Sequence, residues 1–213
     1  MKNEINRIAG RLVKAFNTNT VINPIPVKYC KNINLANKLR KLCEDQIKDE
    51  TIGIKAGGTG IQALKKLKEK EPFTAKVFKK RLVKSGQKVK INQHTKGIEV
   101  EVYYFIKKSF FDFKGKVTKS NVTKFIKFMG PCFEIVGFRQ RNKKFTYLGD
   151  ICGDFGFNIK FVVGRKTKFK KLNLNNLKTS LVSKKNGVKV NGNTNIVYIC
   201  LLYTSPSPRD STL

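Results

Sequence analysis

The stretch Gly97-Ile98-Glu99-Val100-Glu101-Val102-Tyr103-Tyr104-Phe105-Ile106 alternates with a period of two and so predicts a β-strand. Ile98, Val100, Val102 and Tyr104 fall on one side, and Glu99 and Glu101 share the other. Two positions along a strand span about 6.6 Å, close enough for two carboxylates to converge on one point. Side by side without a counter-charge they repel and one of them gains proton affinity. A lysine relieves that repulsion, and so does a divalent cation with oxygen ligands. The plainer alternative is the solvated face of a half-buried edge strand, where such glutamates only meet water.

Further acids bear on that choice, because the chain is short of them. Its 213 residues hold 45 Lys+Arg against 14 Asp+Glu, a formal charge of +31. Glu134 lies in the apolar run Pro131-Cys132-Phe133-Glu134-Ile135-Val136-Gly137-Phe138-Arg139. A charge there needs a cation or a hydrogen-bonded partner, with Arg139 or a lysine as the structural option. Asp154, in Cys152-Gly153-Asp154-Phe155-Gly156, is either a turn aspartate or a catalytic one. The loop Lys55-Ala56-Gly57-Gly58-Thr59 is rich in glycine but lacks the spacing of a phosphate-binding P-loop.

Outward from the acids, the pattern is helical first and strand-like later. Ile5, Ile8, Leu12, Val13 and Phe16 predict a helix over 3–17. Leu35, Leu39, Leu42 and Ile47 predict a second, with Asn34 as its N-cap. A strand over 51–55, a glycine turn and a short helix from Ile61 follow, the helix ending before Pro72. Strands are predicted at 77–83, 89–91, 98–106, 132–138 and 159–163, with a helix over 120–129. Asn186-Gly187 between β-prone runs signals a two-residue hairpin. Early helices and late strands give an α+β fold, N-terminal helices followed by a mixed, largely antiparallel sheet.

Composition excludes several classes. No apolar run reaches the ~20 residues that span a bilayer, and residues 1–27 have no secretory apolar core, so a soluble cytoplasmic protein with no membrane partner is expected. Cys30, Cys43, Cys132, Cys152 and Cys200 are odd in number and form no CxxC pair, which favours free thiols. His94 is the single histidine, in a polar stretch that reads as a loop. Lysine far outnumbers arginine and is spread along the chain with abundant Asn, Ile and Phe, a bias that argues for compositional drift over nucleic-acid binding. A basic nucleic-acid-binding module stands as the alternative from outside the enzymes.

Five collinear blocks carry a resemblance. Ile52-Gly53-Ile54-Lys55-Ala56-Gly57-Gly58-Thr59, Glu71-Pro72-Phe73-Thr74-Ala75-Lys76-Val77-Phe78, the E-x-E strand at 98–102, the block 131–139 and Gly153-Asp154 resemble the 2-keto-4-pentenoate hydratase family of the fumarylacetoacetate hydrolase superfamily. The resemblance extends over about residues 8–199, including Asn173-Leu174-Asn175-Asn176-Leu177. It implies the β-roll of that superfamily, with Glu99, Glu101 and Glu134 as ligands of Mg2+ or Mn2+. It assigns proton transfer to Lys55 and Asp154 and substrate contacts to Thr59 and Arg139. The implied reaction is hydration of a 2-hydroxy-2,4-dienoate to a 4-hydroxy-2-oxo acid in aromatic or meta-cleavage catabolism. Decarboxylation of 2-oxo-hexenedioate and C–C hydrolysis are the alternatives within the superfamily, and homo-oligomers are usual among such proteins. The chain departs from the family pattern at Phe155 (usually Asn), Phe138 (usually Ser), Gly58 (usually Leu) and Gly60 (often Ser or His).

Residues 1–50 are thus read as a helical segment and 51–199 as a catalytic domain truncated at its C-terminus. Cys200-Leu201-Leu202-Tyr203-Thr204-Ser205-Pro206-Ser207-Pro208-Arg209-Asp210 resembles a translated sequencing adapter, and 200–213 are read as non-native read-through.

Overall fold

In the computed structural model, the described residues are 2–91, 94–118, 120–170, 178–182, 187 and 189–193. The block 173–177, Asn186 and the segment 200–213 lie outside them. Helix α1 (Lys2–Thr18) buries Ile5, Ile8, Ala9, Leu12 and Phe16 at helical spacing against Leu39 and Cys43 of α3 (Ile33–Asp45). A single turn, α2 (Lys28–Lys31), precedes α3. The cap of α3 is Asn32 and not Asn34: its Oδ1 accepts from the N–H groups of Asn34 and Leu35 at 3.0 and 3.1 Å.

Strands β1 (Thr51–Gly57) and β2 (Phe73–Phe78) form an antiparallel pair around α4 (Ile61–Lys66). The expected strand over 77–83 is broken. The Glu50 carbonyl accepts from Lys79 N and the Asp49 carboxylate from Lys80 N, which turns 79–81 into one 3-10 turn. The chain then enters a second sheet as β3 (Leu82–Lys84), with no strand at 89–91.

That sheet has the order β3-β6-β5-β4, with β7 also on β5, built from β4 (Thr95–Ile106), β5 (Ile126–Gly137), β6 (Asn158–Val163) and β7 (Thr167–Lys168). Its β3–β6 pairing is parallel and the rest antiparallel. The helix expected at 120–129 is one 3-10 turn, Val122–Phe125, followed by β5. Val122, Phe125, Ile126 and Met129 do have helical spacing, but pairing of β5 with the full length of β4 overrides it. Ile98, Val100 and Phe133, on the apolar side of this ladder, are exposed by 46, 38 and 39%.

One short helix, α5 (Leu148–Cys152), has no periodic signal in the sequence. Asp150 nucleates it by accepting from the N–H groups of Thr146 and Tyr147. The pair β8 (Lys178–Val182) and β9 (Lys189–Asn193) is antiparallel. Most of the loop that joins them, with Asn186 of the expected Asn186-Gly187 turn, lies outside the described residues. Cys30, Cys43, Cys132 and Cys152 are free and buried. Among the described residues, no helix is long and apolar enough to cross a membrane. The architecture is α+β, as the helical and strand periods predict.

Candidate metal centre

Glu99 lies directly opposite Glu134 in the β4–β5 ladder, and Glu101 follows two residues along the same face, opposite Cys132. Ligand oxygens of all three acids come within 4.8 Å of one another. Glu99 and Glu101 are exposed, whereas Glu134 is buried. The apolar stretch around Glu134 therefore delivers its carboxylate to the two strand glutamates, as the E-x-E reading requires of a third acid.

The Glu134 counter-ion is Lys55. From β1, its ammonium donates to Glu134 Oε1 and Oε2 at 2.5 and 2.7 Å and to the Gly156 carbonyl at 2.9 Å. Both side chains are largely buried, 10% and 3% exposed. One lysine does not balance three carboxylates. Although the Glu101 residue as a whole is exposed, its carboxyl is turned into the cluster; desolvation there and the Glu134 charge push it up to about 7, against the pull of Lys55. Burial also raises Glu134, with Lys55 opposing. Crowded oxygen donors with surplus negative charge, in a protein of charge +31, fit a hard divalent cation.

The segment that meets Lys55 is unusual in its backbone. Phe155, Gly156 and Phe157 are consecutive and have φ of +53, +66 and +71°. Such a run is strained for phenylalanine and persists only where its surroundings over-determine it. Phe155 stacks on Phe16 at 4.3 Å, and Phe157 packs on Phe138 at 4.5 Å. Asn158 Nδ2 donates to the Phe155 carbonyl at 2.6 Å. A Cβ at Gly156 would sit 2.7 Å from that of Ala75, which keeps the central position glycine.

Asp154 and Arg139, expected to act on substrate, meet each other instead. Asp154 is fully buried; its Oδ1 accepts from Arg139 Nη1 at 3.1 Å, and its Oδ2 accepts from Arg139 N at 2.8 Å and Gln140 Nε2 at 3.1 Å. Arg139 Nη2 donates to the Asn158 carbonyl, and its guanidinium lies over the rings of Phe16 and Phe155. With both Nη groups hydrogen-bonded and 6% exposure, Arg139 does not offer a substrate contact here. Together they brace the left-handed segment from both ends. Thr59 is half-buried in the turn between β1 and α4.

The structure brings together the three acids and Lys55 that the sequence singles out, and adds Gly156 and Gln140, on which the sequence is silent. Phe-Gly-Phe was the one trace of the left-handed run; a backbone acceptor leaves no other mark. The departures from the family pattern are packed into the fold. Phe155 and Phe138 supply the stacking just described, and a Cβ at Gly58 would fall 2.6 Å from Leu148 Cδ1.

No protein-family model matches the chain, and no curated protein matches it by sequence. Among solved structures it is similar to 4-oxalocrotonate decarboxylase from Pseudomonas putida G7 complexed with magnesium and adipate. That match has a TM-score of 0.70 at 16% identity and covers 95% of this chain and 78% of that one. The same enzyme complexed with calcium and acetate matches with a TM-score of 0.73, at the same identity and coverage. At 16% identity, what the likeness shows is a shared fold.

Proposed function

We propose that this chain belongs to a divalent-metal-dependent enzyme of 2-oxo acids, acting as a hydratase of a 2-hydroxy-2,4-dienoate. The convergence of Glu99, Glu101 and Glu134 within 4.8 Å carries the reading. These residues would hold Mg2+ or Mn2+, which supplies Lewis-acid stabilisation of an enolate when bound. Lys55, fixed by Glu134 and the Gly156 carbonyl, is the charged donor beside the acids and the group suited to moving a proton. Asp154 and Arg139 act indirectly, by holding the segment that presents Gly156. The overall charge of +31 favours approach of an anionic substrate.

Decarboxylation is the second reading, favoured by the fold shared with 4-oxalocrotonate decarboxylase. Hydratase and decarboxylase alike need a stabilised dienolate, so they differ in product and not in the acids.

The test is turnover with 2-hydroxypenta-2,4-dienoate and with a 2-oxo-hexenedioate, in Mg2+ and in EDTA. Dienol absorbance and released CO2 are read together with calorimetric Mg2+ binding. Absorbance loss without CO2 from the first substrate, dependent on Mg2+ and abolished by Glu101→Gln, is the expected result. CO2 from the second would select decarboxylation. Absence of Mg2+ binding, or activity indifferent to Glu101→Gln, refutes the metal centre.

A further inference from the structure

The lysines are scattered in sequence, yet the fold gathers one group of them. A groove of about 420 Å3 at the far end of the main sheet is lined by Lys107, Lys124, Lys127, Lys168, Phe128 and Phe169. Among the described residues, no carboxylate lines it and none of its lysines takes part in an ion pair. Lys166 joins them, its ammonium 5.0 Å from the centre of the Phe128 ring, with Lys127 at 5.4 Å.

The aromatic part is set by strand register. Phe105 faces Phe128 across β4–β5, and Phe128 faces Lys168 across β5–β7, so the three form one row on one face. The Phe105 and Phe128 rings are 6.1 Å apart, and Phe105 is 55% exposed. Phe105 lies four residues beyond Glu101, about 13 Å along the strand at ~3.3 Å per residue, so the row is separate from the acids. Compositional drift supplies lysines, but it does not set two aromatic rings in one cross-strand row beside them.

We infer that this groove binds single-stranded nucleic acid, with Lys127, Lys166 and Lys168 on successive phosphates and Phe105 as a stacking platform for a base. Clustered cations answer the regular charge of the backbone, and an exposed ring stacks on any base without reading sequence. This inference is independent of the proposed enzymatic reading, because it uses none of the acids.

Fluorescence anisotropy with a labelled dT12 strand, from 0.05 to 0.2 M KCl, tests it. The chain already carries +31, so the comparison has to hold total charge fixed. One variant changes Lys127, Lys166 and Lys168 to Gln; the control changes Lys65, Lys66 and Lys68, on and just after α4, to Gln and removes the same charge. The groove variant should weaken binding about tenfold or more at 0.1 M and lower the log–log salt slope by about 2, at ~0.7 per phosphate. The control should change affinity less than twofold. Phe105→Ala should weaken binding about fivefold or more, the effect of one lost base stack. Equal losses in both triple variants, no effect of Phe105→Ala, or equal affinity for a 12-base-pair duplex would overturn the inference.

Discussion

Replacing Lys55 by Met tests the acid cluster without touching an acid. Met keeps most of the aliphatic stem and removes the ammonium that bonds both oxygens of Glu134 at 2.5 and 2.7 Å. Glu134 is 3% exposed in its side chain, so its charge is then left in the interior without a partner. Removing one member of a buried pair destabilises by about 3–5 kcal/mol, roughly 6–20 °C in Tm at this chain length. The size of the loss depends on pH. Burial already raises Glu134 above 4.5, and Lys55 is what holds it down. Without Lys55 the folded value rises further above the unfolded one, so stability is greatest below 4.5 and falls as pH climbs through the folded value. The Lys55→Met deficit should thus be larger at pH 8 than at pH 5. Adding Mg2+ should then stabilise the variant more than the parent, since in the parent the ammonium opposes the cation. A ligand at 100 times its Kd contributes about 2.7 kcal/mol, enough to recover most of the deficit. Urea unfolding in EDTA and in Mg2+, at both pH values, measures all of this. A deficit under 1 kcal/mol in EDTA, or no Mg2+ stabilisation of either protein, would refute the reasoning.

Three further outcomes follow from the same contacts. Glu101→Gln should make the metal-free protein more stable at pH 8 while removing its Mg2+ response, because it relieves repulsion from Glu134 and deletes a donor; a loss of metal-free stability would contradict the crowding. Since Glu101 is raised to about 7, metal-free stability should decline between pH 4.5 and 7, and Mg2+ binding in that window should release close to one proton, measurable by calorimetry in two buffers. Arg139→Met should lower stability by about 3–5 kcal/mol at pH 7, because Asp154 keeps only the bonds from the Gln140 side-chain amide and the backbone N–H of residue 139; near-neutrality in urea unfolding would show that the pair is not formed.

What the sequence revealed depended on the length over which a signal repeats. Helix α1 was legible because five apolar residues fall on one face, and α3 for the same reason; its cap was displaced by two residues because Asn32 and Asn34 are chemically equivalent candidates. Breaks were not legible. The turn at 79–81 depends on Asp49 and Glu50, some thirty residues away, and α5 on a single aspartate binding two amides. The segment 120–129 misled because its apolar spacing satisfies a helix equally well, and only the length of β4 decides otherwise.

The site divides along the same line. The pair Glu99 and Glu101 is a local fact, visible in ten residues. Adding Glu134 requires the register between β4 and β5, which no local pattern specifies. With Glu99 opposite Glu134, all three carboxylates lie on one face. A slip of one residue would turn Glu134 to the side of Ile98 and Val100 and bring Cys132 and Ile135 out of phase as well. Burial resists that slip, since Cys132 and Val136, 8% and 3% exposed, would move to the side of Ile98, Val100 and Phe133, which are 46, 38 and 39% exposed. Lys55 adds a second lock from a different sheet, because a flipped Glu134 would forfeit both hydrogen bonds to it. The apolar neighbours of Glu134, which made its charge look costly in the sequence, are therefore the residues that fix where that charge points.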